Sequence, residues 1–221
     1  SSLPLYIQGT KYVRPIKYFE TRGSAQCKSC VMLAALNTPG KTLIKAKKSR
    51  DHTENFFKYL GIPIVIKKNK HNDEIKVNGQ KSFNSFNYKI PSDPSSCAFF
   101  IVLTLLSKNC KLKIKNVNVN NSRVGYIKIL NKMGAKIKIR NIKKKYGEKQ
   151  ADIFVKSQPS LKKINCPPSL NSNLIDEFLI IFLAAAKARG VSSFRNLGEL
   201  NKKESPRLNI ALKFLKMIGI K

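Results

Sequence analysis

The chain has 221 residues, enough for one large domain or two small ones, and 42% are hydrophobic, which supports a packed core and excludes wholesale disorder. Its 43 basic against 12 acidic side chains give a net charge of +31, which reads either as nucleic-acid binding or as a Lys-rich composition with a small anionic ligand, and would in either case attract phosphorylated metabolites. No apolar run reaches the roughly 18 residues that span a bilayer, so no membrane partner is expected.

In chain order the predicted elements repeat as a unit of helix, strand, amphipathic helix ending in Gly, and two strands, three times over. The first copy opens at Ser24-Ala25-Gln26 with a helix to about Leu36, broken by Pro39-Gly40. A strand follows over Lys41–Ala46 and a second helix over Asp51–Leu60, stopped by Gly61. In that helix Thr53, Phe56, Phe57 and Leu60 share a core-facing stripe, and Asp51 with Glu54 makes a capping-box start. Strands over Ile62–Lys68 and Glu74–Val77 close the copy, and Asn78-Gly79 reads as a tight turn.

The second copy opens at Ser92-Asp93-Pro94-Ser95-Ser96 with a helix to about Leu106 and a strand over Lys111–Val117. Its second helix runs from Ser122, as N-cap, to Met133, with Tyr126, Ile129, Leu130 and Met133 as the buried stripe. Strands over Lys136–Arg140 and Asp152–Val155 complete it. The third copy has a helix over Phe178–Ala188 and a strand over Val191–Leu197. Its last helix is capped by Ser205 with Pro206 in the first turn, and turns Leu208, Ala211, Leu212 and Leu215 to the core. The fold class is therefore α/β, built of similar repeated units in the order α-β-α-β-β. If the first helices of several copies point their N-termini one way, backbone N–H groups converge there and favour an anion.

Cysteines at 27, 30, 97, 110 and 166 are odd in number and lack disulfide-scaffold spacing, which indicates a reducing, cytoplasmic setting. Cys27-Lys28-Ser29-Cys30 has no second pair to complete a zinc ribbon, and reads as two small residues on a buried helix. His52 and His71 are far apart without clustered carboxylates, so no metal site is expected and His52 is read as structural. The lysines lie along the whole chain on the polar faces of apolar-periodic segments, and no zinc-finger, RRM or basic-zipper pattern is present, which argues against nucleic acid. Both ends of the sequence have the look of cuts rather than natural termini.

Six segments in order resemble the 5-enolpyruvylshikimate-3-phosphate synthase family. They are Gly23-Ser24-Ala25-Gln26-Cys27-Lys28-Ser29, Ser49-Arg50-Asp51-His52-Thr53-Glu54, Asp93-Pro94-Ser95-Ser96-Cys97-Ala98-Phe99-Phe100, Asn121-Ser122-Arg123-Val124-Gly125 with Met133-Gly134-Ala135, Leu174-Ile175-Asp176-Glu177-Phe178, and Lys202-Lys203-Glu204-Ser205-Pro206-Arg207-Leu208. The resemblance covers almost the whole chain, and it implies an internal fragment of about half of such an enzyme. It implies repeated βαβαββ units of the two-lobed enolpyruvyl transferase fold, an inside-out α/β barrel with the active site between lobes. Residues 1–91 would end the first lobe, and residues 92–221 would form about two units of the second.

The reaction so implied moves the enolpyruvyl group of phosphoenolpyruvate to the 5-hydroxyl of shikimate 3-phosphate, with a tetrahedral ketal as intermediate and no cofactor. Ser24, Ala25, Gln26 and Arg50 resemble the shikimate 3-phosphate site, with Gln26 also near phosphoenolpyruvate. Asp176 resembles the carboxylate on the reacting hydroxyl, as base or orienter. Lys203 resembles a ligand of the same substrate with a catalytic role. Glu204 resembles the acid/base at the phosphoenolpyruvate methylene, and Arg207 the clamp on its anionic groups. Taken alone, each has a plainer reading: a helix cap, a solvated loop arginine, an N-cap before Phe178, a charged helix start.

Pro206 departs from the family pattern, which has an acidic residue there to hold the following arginine, so the clamp geometry of Arg207 is open. The family's N-terminal Lys and Arg segment, its Asn-Ala-Gly-Thr loop and its late Arg and Lys segments have no counterpart in the 221 residues. The resemblance therefore implies weak binding and no turnover for this stretch alone, and a monomer at full length. The alternatives are a UDP-N-acetylglucosamine enolpyruvyl transferase, which shares the architecture, and a basic nucleic-acid-binding module.

Overall fold

A computed structural model describes residues 4–79, 82–158, 160–202 and 204–220, and the chain divides into two compact units between Phe86 and Asn87. The first unit reads β1 (Lys17–Glu20), α1 (Ala25–Leu36), β2 (Lys41–Lys47), α2 (His52–Tyr59), β3 (Ile64–Lys68) and β4 (Asn72–Asn78). Its sheet runs in the order β1-β2-β4-β3, with β1 parallel to β2 and the remaining pairs antiparallel. Alternation places Thr42, Ile44 and Ala46 of β2 and Ile75 and Val77 of β4 on the inner face. Met32, Ala35 and Phe57 from the two helices close over that face.

The expected tight turn at Asn78-Gly79 is not a hairpin. β3 and β4 are joined earlier, where Asn69 N–H bonds the carbonyl of Asn72, and Gly79 N–H bonds the carbonyl of Gly40. Gly79 packs so close to the end of α1 that an added Cβ would lie 1.9 Å from the Thr38 carbonyl oxygen. Cys27 and Cys30 are exposed rather than buried, because α1 turns Lys28, Met32 and Ala35 inward instead.

The second unit reads α3 (Pro94–Leu106), β5 (Lys111–Asn118), α4 (Gly125–Lys132), β6 (Lys138–Lys145), β7 (Glu148–Lys156), α5 (Phe178–Ala186) and α6 (Arg207–Met217), with 3-10 turns at Pro168–Asn173 and Gly198–Lys202. The antiparallel sheet β5-β7-β6 sets Lys111, Lys113 and Lys115 outward and the intervening Leu112 and Ile114 inward, so the basic excess sits on a solvated face. The predicted stripe of α4 is fully buried: Tyr126, Ile129, Leu130 and Met133 are each 0% exposed. They join Ala98, Ile101 and Leu105 of α3 and Phe178 and Ile181 of α5 in one core.

Three sequence expectations change in this unit. Ser122 does not cap α4; it turns back on Asn120, which accepts from its N–H and its hydroxyl, and the helix starts three residues later. Val191–Leu197 forms no strand, only an isolated parallel bridge between Asn165 and Ser193, and Asn196 at φ 59° interrupts the extended run. α6 is entered at Pro206 without a side-chain cap from Ser205, and it lies with Leu208, Ala211 and Leu215 against the core and Leu212 half exposed.

The repeat survives these corrections. In each copy a segment before the first helix pairs in parallel with a segment after it: β1 with β2, Ser92 with Val117, and Asn165 with Ser193. Among the described residues no helix is long and apolar enough to cross a membrane.

Candidate active site

In the first unit, two of the singled-out segments meet. β1 and β2 are parallel, so the loop that leads into α1 and the loop that leads into α2 leave from the same edge of the sheet. That edge, beyond the carboxyl ends of parallel strands, is where open α/β sheets take ligands. Ser24 caps α1, its Oγ accepting from the Cys27 N–H at 3.2 Å, and Ala25 and Gln26 form the first helical turn. The approach is fixed from behind by the buried Glu20, whose carboxylate accepts from the N–H groups of Arg22 at 2.9 Å and Gly23 at 2.6 Å. Gly23 has φ +81° and a Cβ there would lie 3.6 Å from the Lys48 carbonyl, so the two loops run side by side.

Arg50 stands in the second loop, half-buried, one residue before Asp51. The expected capping box of α2 is absent: Asp51 gives no side-chain cap, and Glu54 points into the protein. The reason is a residue the sequence reading passed over. Lys28, one turn along α1 from Ser24, is buried, and its Nζ bonds Glu54 Oε1 at 2.5 Å and the carbonyl of Arg50 at 2.8 Å.

In the second unit, a polar series runs across the starts of α3, α5 and α6. Asp93 caps α3, its Oδ2 accepting from the Ser96 N–H at 2.7 Å and the Ser96 hydroxyl at 2.9 Å. Its Oδ1 accepts from Arg123 Nη2 at 2.7 Å, and the same nitrogen donates to Ser95 Oγ at 2.8 Å. The Ser95 hydroxyl donates to the buried carboxylate of Glu177. Burial opposes ionisation of Asp93, but the two Ser96 bonds and Arg123 outweigh it and hold its carboxyl below the ordinary range.

The residue next to Glu177 is Asp176, whose Oδ1 accepts from Arg207 Nη1 at 3.0 Å, while Arg207 Nη2 donates to Glu204 Oε2 at 2.8 Å. Three residues singled out for chemistry thus share one guanidinium. With Pro206 beside it, Arg207 takes its carboxylate partners from Asp176 and Glu204. These bonds use two of the five N–H donors of Arg207. Lys203 lies outside the described residues.

Sequence reasoning did not give a role to Lys28, Asp93, Ser95, Arg123 or Glu177, although all stand within the motif segments. The available signal was Lys28 itself, a cation in helical register with Met32 and Ala35 on the inward face. Among the described residues no group of three or more His, Cys, Asp and Glu could hold a metal.

The whole chain, residues 1–221, matches the family model described as EPSP synthase (3-phosphoshikimate 1-carboxyvinyltransferase). A 3-phosphoshikimate 1-carboxyvinyltransferase from Zymomonas mobilis is 38% identical over 219 residues, covering 99% of this chain and 48% of that protein. A solved EPSP synthase from Acinetobacter baumannii superposes with a TM-score of 0.84 at 34% identity, covering 95% of this chain and 46% of that one. The enolpyruvyl transferase NikO from Streptomyces tendae, at 15% identity and a TM-score of 0.61 over 82% of this chain and 44% of that one, shares the fold. The chain spans about half the length of the curated relatives it matches.

Proposed function

The chain belongs to the EPSP synthase (3-phosphoshikimate 1-carboxyvinyltransferase) family, and on that premise we propose that the whole protein transfers the enolpyruvyl group of phosphoenolpyruvate to the 5-hydroxyl of shikimate 3-phosphate. The hydroxyl oxygen bonds to C2 of phosphoenolpyruvate as a proton is added at C3. The resulting ketal then loses the C3 proton as its C2–O bond to phosphate breaks, giving the enol ether and inorganic phosphate.

Each unit carries its own set of assigned groups. In the first, the start of α1 at Ser24, Ala25 and Gln26, with Arg50 beside it, binds shikimate 3-phosphate through N–H groups, a hydroxyl, an amide and a guanidinium; Gln26 also reaches phosphoenolpyruvate. In the second, Asp176 orients the 5-hydroxyl and takes its proton, Glu204 gives and removes the proton at C3, and Arg207 clamps the phosphoenolpyruvate anion. Lys203 is assigned to shikimate 3-phosphate and to catalysis beside Glu204. Residues 1–91 are assigned to the end of one lobe and residues 92–221 to two repeat units of the other. The reading includes a cytoplasmic monomer that binds no nucleic acid.

The observation that supports this most is the single guanidinium of Arg207 held between Asp176 at 3.0 Å and Glu204 at 2.8 Å. An anion clamp between an orienting carboxylate and an acid/base carboxylate is what a two-step addition and elimination on an anionic alkene needs. In the full-length protein, Glu204→Gln and Asp176→Asn should each lower kcat for phosphate release by about 100-fold or more. The KM for shikimate 3-phosphate should stay within a few-fold for Glu204→Gln. Retention of kcat within twofold in Glu204→Gln would remove Glu204 from the reaction. The 221-residue stretch by itself should release no phosphate from the two substrates, and measurable release would contradict this assignment.

A further inference from the structure

Lys28 is 1% exposed, on a helix whose other inward residues are apolar, and the reaction above makes no use of it. A buried ion pair is a weak source of stability, because taking both charges out of water cancels most of their attraction. Packing alone would therefore be served as well by two apolar side chains. The geometry around Lys28 gives it a different task. Its ammonium holds Glu54 of α2 on one side and the backbone carbonyl of Arg50 on the other, at 2.5 and 2.8 Å. Lys28 N–H bonds the carbonyl of Ser24, so the residue is anchored to the cap of α1. Next to it the hydroxyls of Ser29 and Thr53 bond at 2.6 Å, a second tie between the same two helices. The loop at Arg50 gains no local side-chain cap from Asp51, and Lys28 supplies a non-local tie in its stead. Glu54 Oε2 accepts no hydrogen bond among the described residues, so the carboxylate depends on Lys28.

We propose that Lys28 is a positioning residue for the phosphorylated substrate: it sets the Arg50 loop at a fixed distance from the α1 start, so that guanidinium and helix N-terminus meet one anionic ligand together. The proposal rests on the assignment of Ser24, Gln26 and Arg50 to shikimate 3-phosphate. Lys28 touches no substrate and acts through the Arg50 backbone.

The test uses the full-length protein and four variants: Lys28→Met, the double variant Lys28→Met/Glu54→Leu, Arg50→Ala, and the triple variant combining all three changes. Lys28→Met strands the Glu54 carboxylate and is expected to lower the thermal midpoint, so the double variant, which removes both charges, carries the decision. It should regain the wild-type midpoint to within a few degrees, yet show KM and calorimetric Kd for shikimate 3-phosphate raised about 10-fold, with the KM for phosphoenolpyruvate within twofold. Arg50→Ala should raise the same constants by about 10-fold or more. In the triple variant the Lys28 and Glu54 changes should add nothing further, since their effect passes through Arg50.

A double variant that refolds with wild-type affinity for shikimate 3-phosphate would overturn the proposal and leave the pair purely structural. Equal losses for both substrates, or an additive triple variant, would overturn it as well. Wild-type affinity in Arg50→Ala would instead strike at the underlying site assignment and take the proposal with it.

Discussion

Replacing Asp93 by Ala removes two things at once, and their sizes follow from the geometry. The first is the cap of α3, where Oδ2 accepts from the Ser96 N–H at 2.7 Å; losing an Asp cap costs about 1 kcal/mol. The second is the bond from Arg123 Nη2 to Oδ1 at 2.7 Å. Asp93 is about half exposed, so the ion pair itself is screened to below about 1 kcal/mol. The Arg123 side chain is only 15% exposed and would keep its bond to Ser95 Oγ, and the lost partner adds a desolvation cost of similar size. The sum is about 2 kcal/mol, equivalent to a fall of roughly 4–8 °C in the midpoint of thermal unfolding followed by circular dichroism. Asp93→Ser restores a cap acceptor but not the anion, and should recover about half of the loss.

The pH dependence has a definite sign. The Asp93 carboxyl is held below its ordinary 3.8 in the folded chain, so between the two values the unfolded chain binds the extra proton. Its contribution is therefore complete above about pH 4 and fades as pH falls through the folded value. The gap in midpoint between wild type and Asp93→Asn should be constant from pH 7 to 5 and close below pH 3.8. A midpoint for Asp93→Ala within 1 °C of wild type at pH 7, or a gap to Asp93→Asn that widens in acid, would refute the reasoning.

Two further outcomes follow from packing. Gly79→Ala would force a methyl to within 1.9 Å of the Thr38 and 2.2 Å of the Ala35 carbonyl oxygens, so the end of α1 must shift, and stability should fall by about 3 kcal/mol in the same unfolding assay. At pH 8 a disulfide-exchange reagent should titrate the exposed Cys27, Cys30 and Cys110 quickly. Cys97 and Cys166 should react only after denaturation, because both are buried and burial pushes the Cys97 thiol up to about 11. Five fast thiols would show that the core around α3 opens readily.

Local pattern carried the helices. The stripe of Tyr126, Ile129, Leu130 and Met133 was legible because helical period depends only on neighbours in sequence, and all four are fully buried. The α-β-α-β-β order of the first unit was legible for the same reason, whereas the short strand β1 ahead of it was not, and six ordered motif segments pointed to Asp176, Glu204 and Arg207 before any distance was known.

What the sequence could not decide is which of two partners a polar group takes. Glu54 sits three residues after Asp51, as a capping box requires, yet its carboxylate goes to Lys28 on another helix. Val191–Leu197 has β-branched and aromatic residues, but a strand exists only beside another strand, and here a single bridge is all that forms. Arg207 lacks its acidic neighbour in sequence and finds Asp176, 31 positions away. Period and turn chemistry are local and are written residue by residue. Charge pairing and strand pairing are non-local, and only the folded backbone, by bringing α1 to α2 and the start of α5 to α6, determines them.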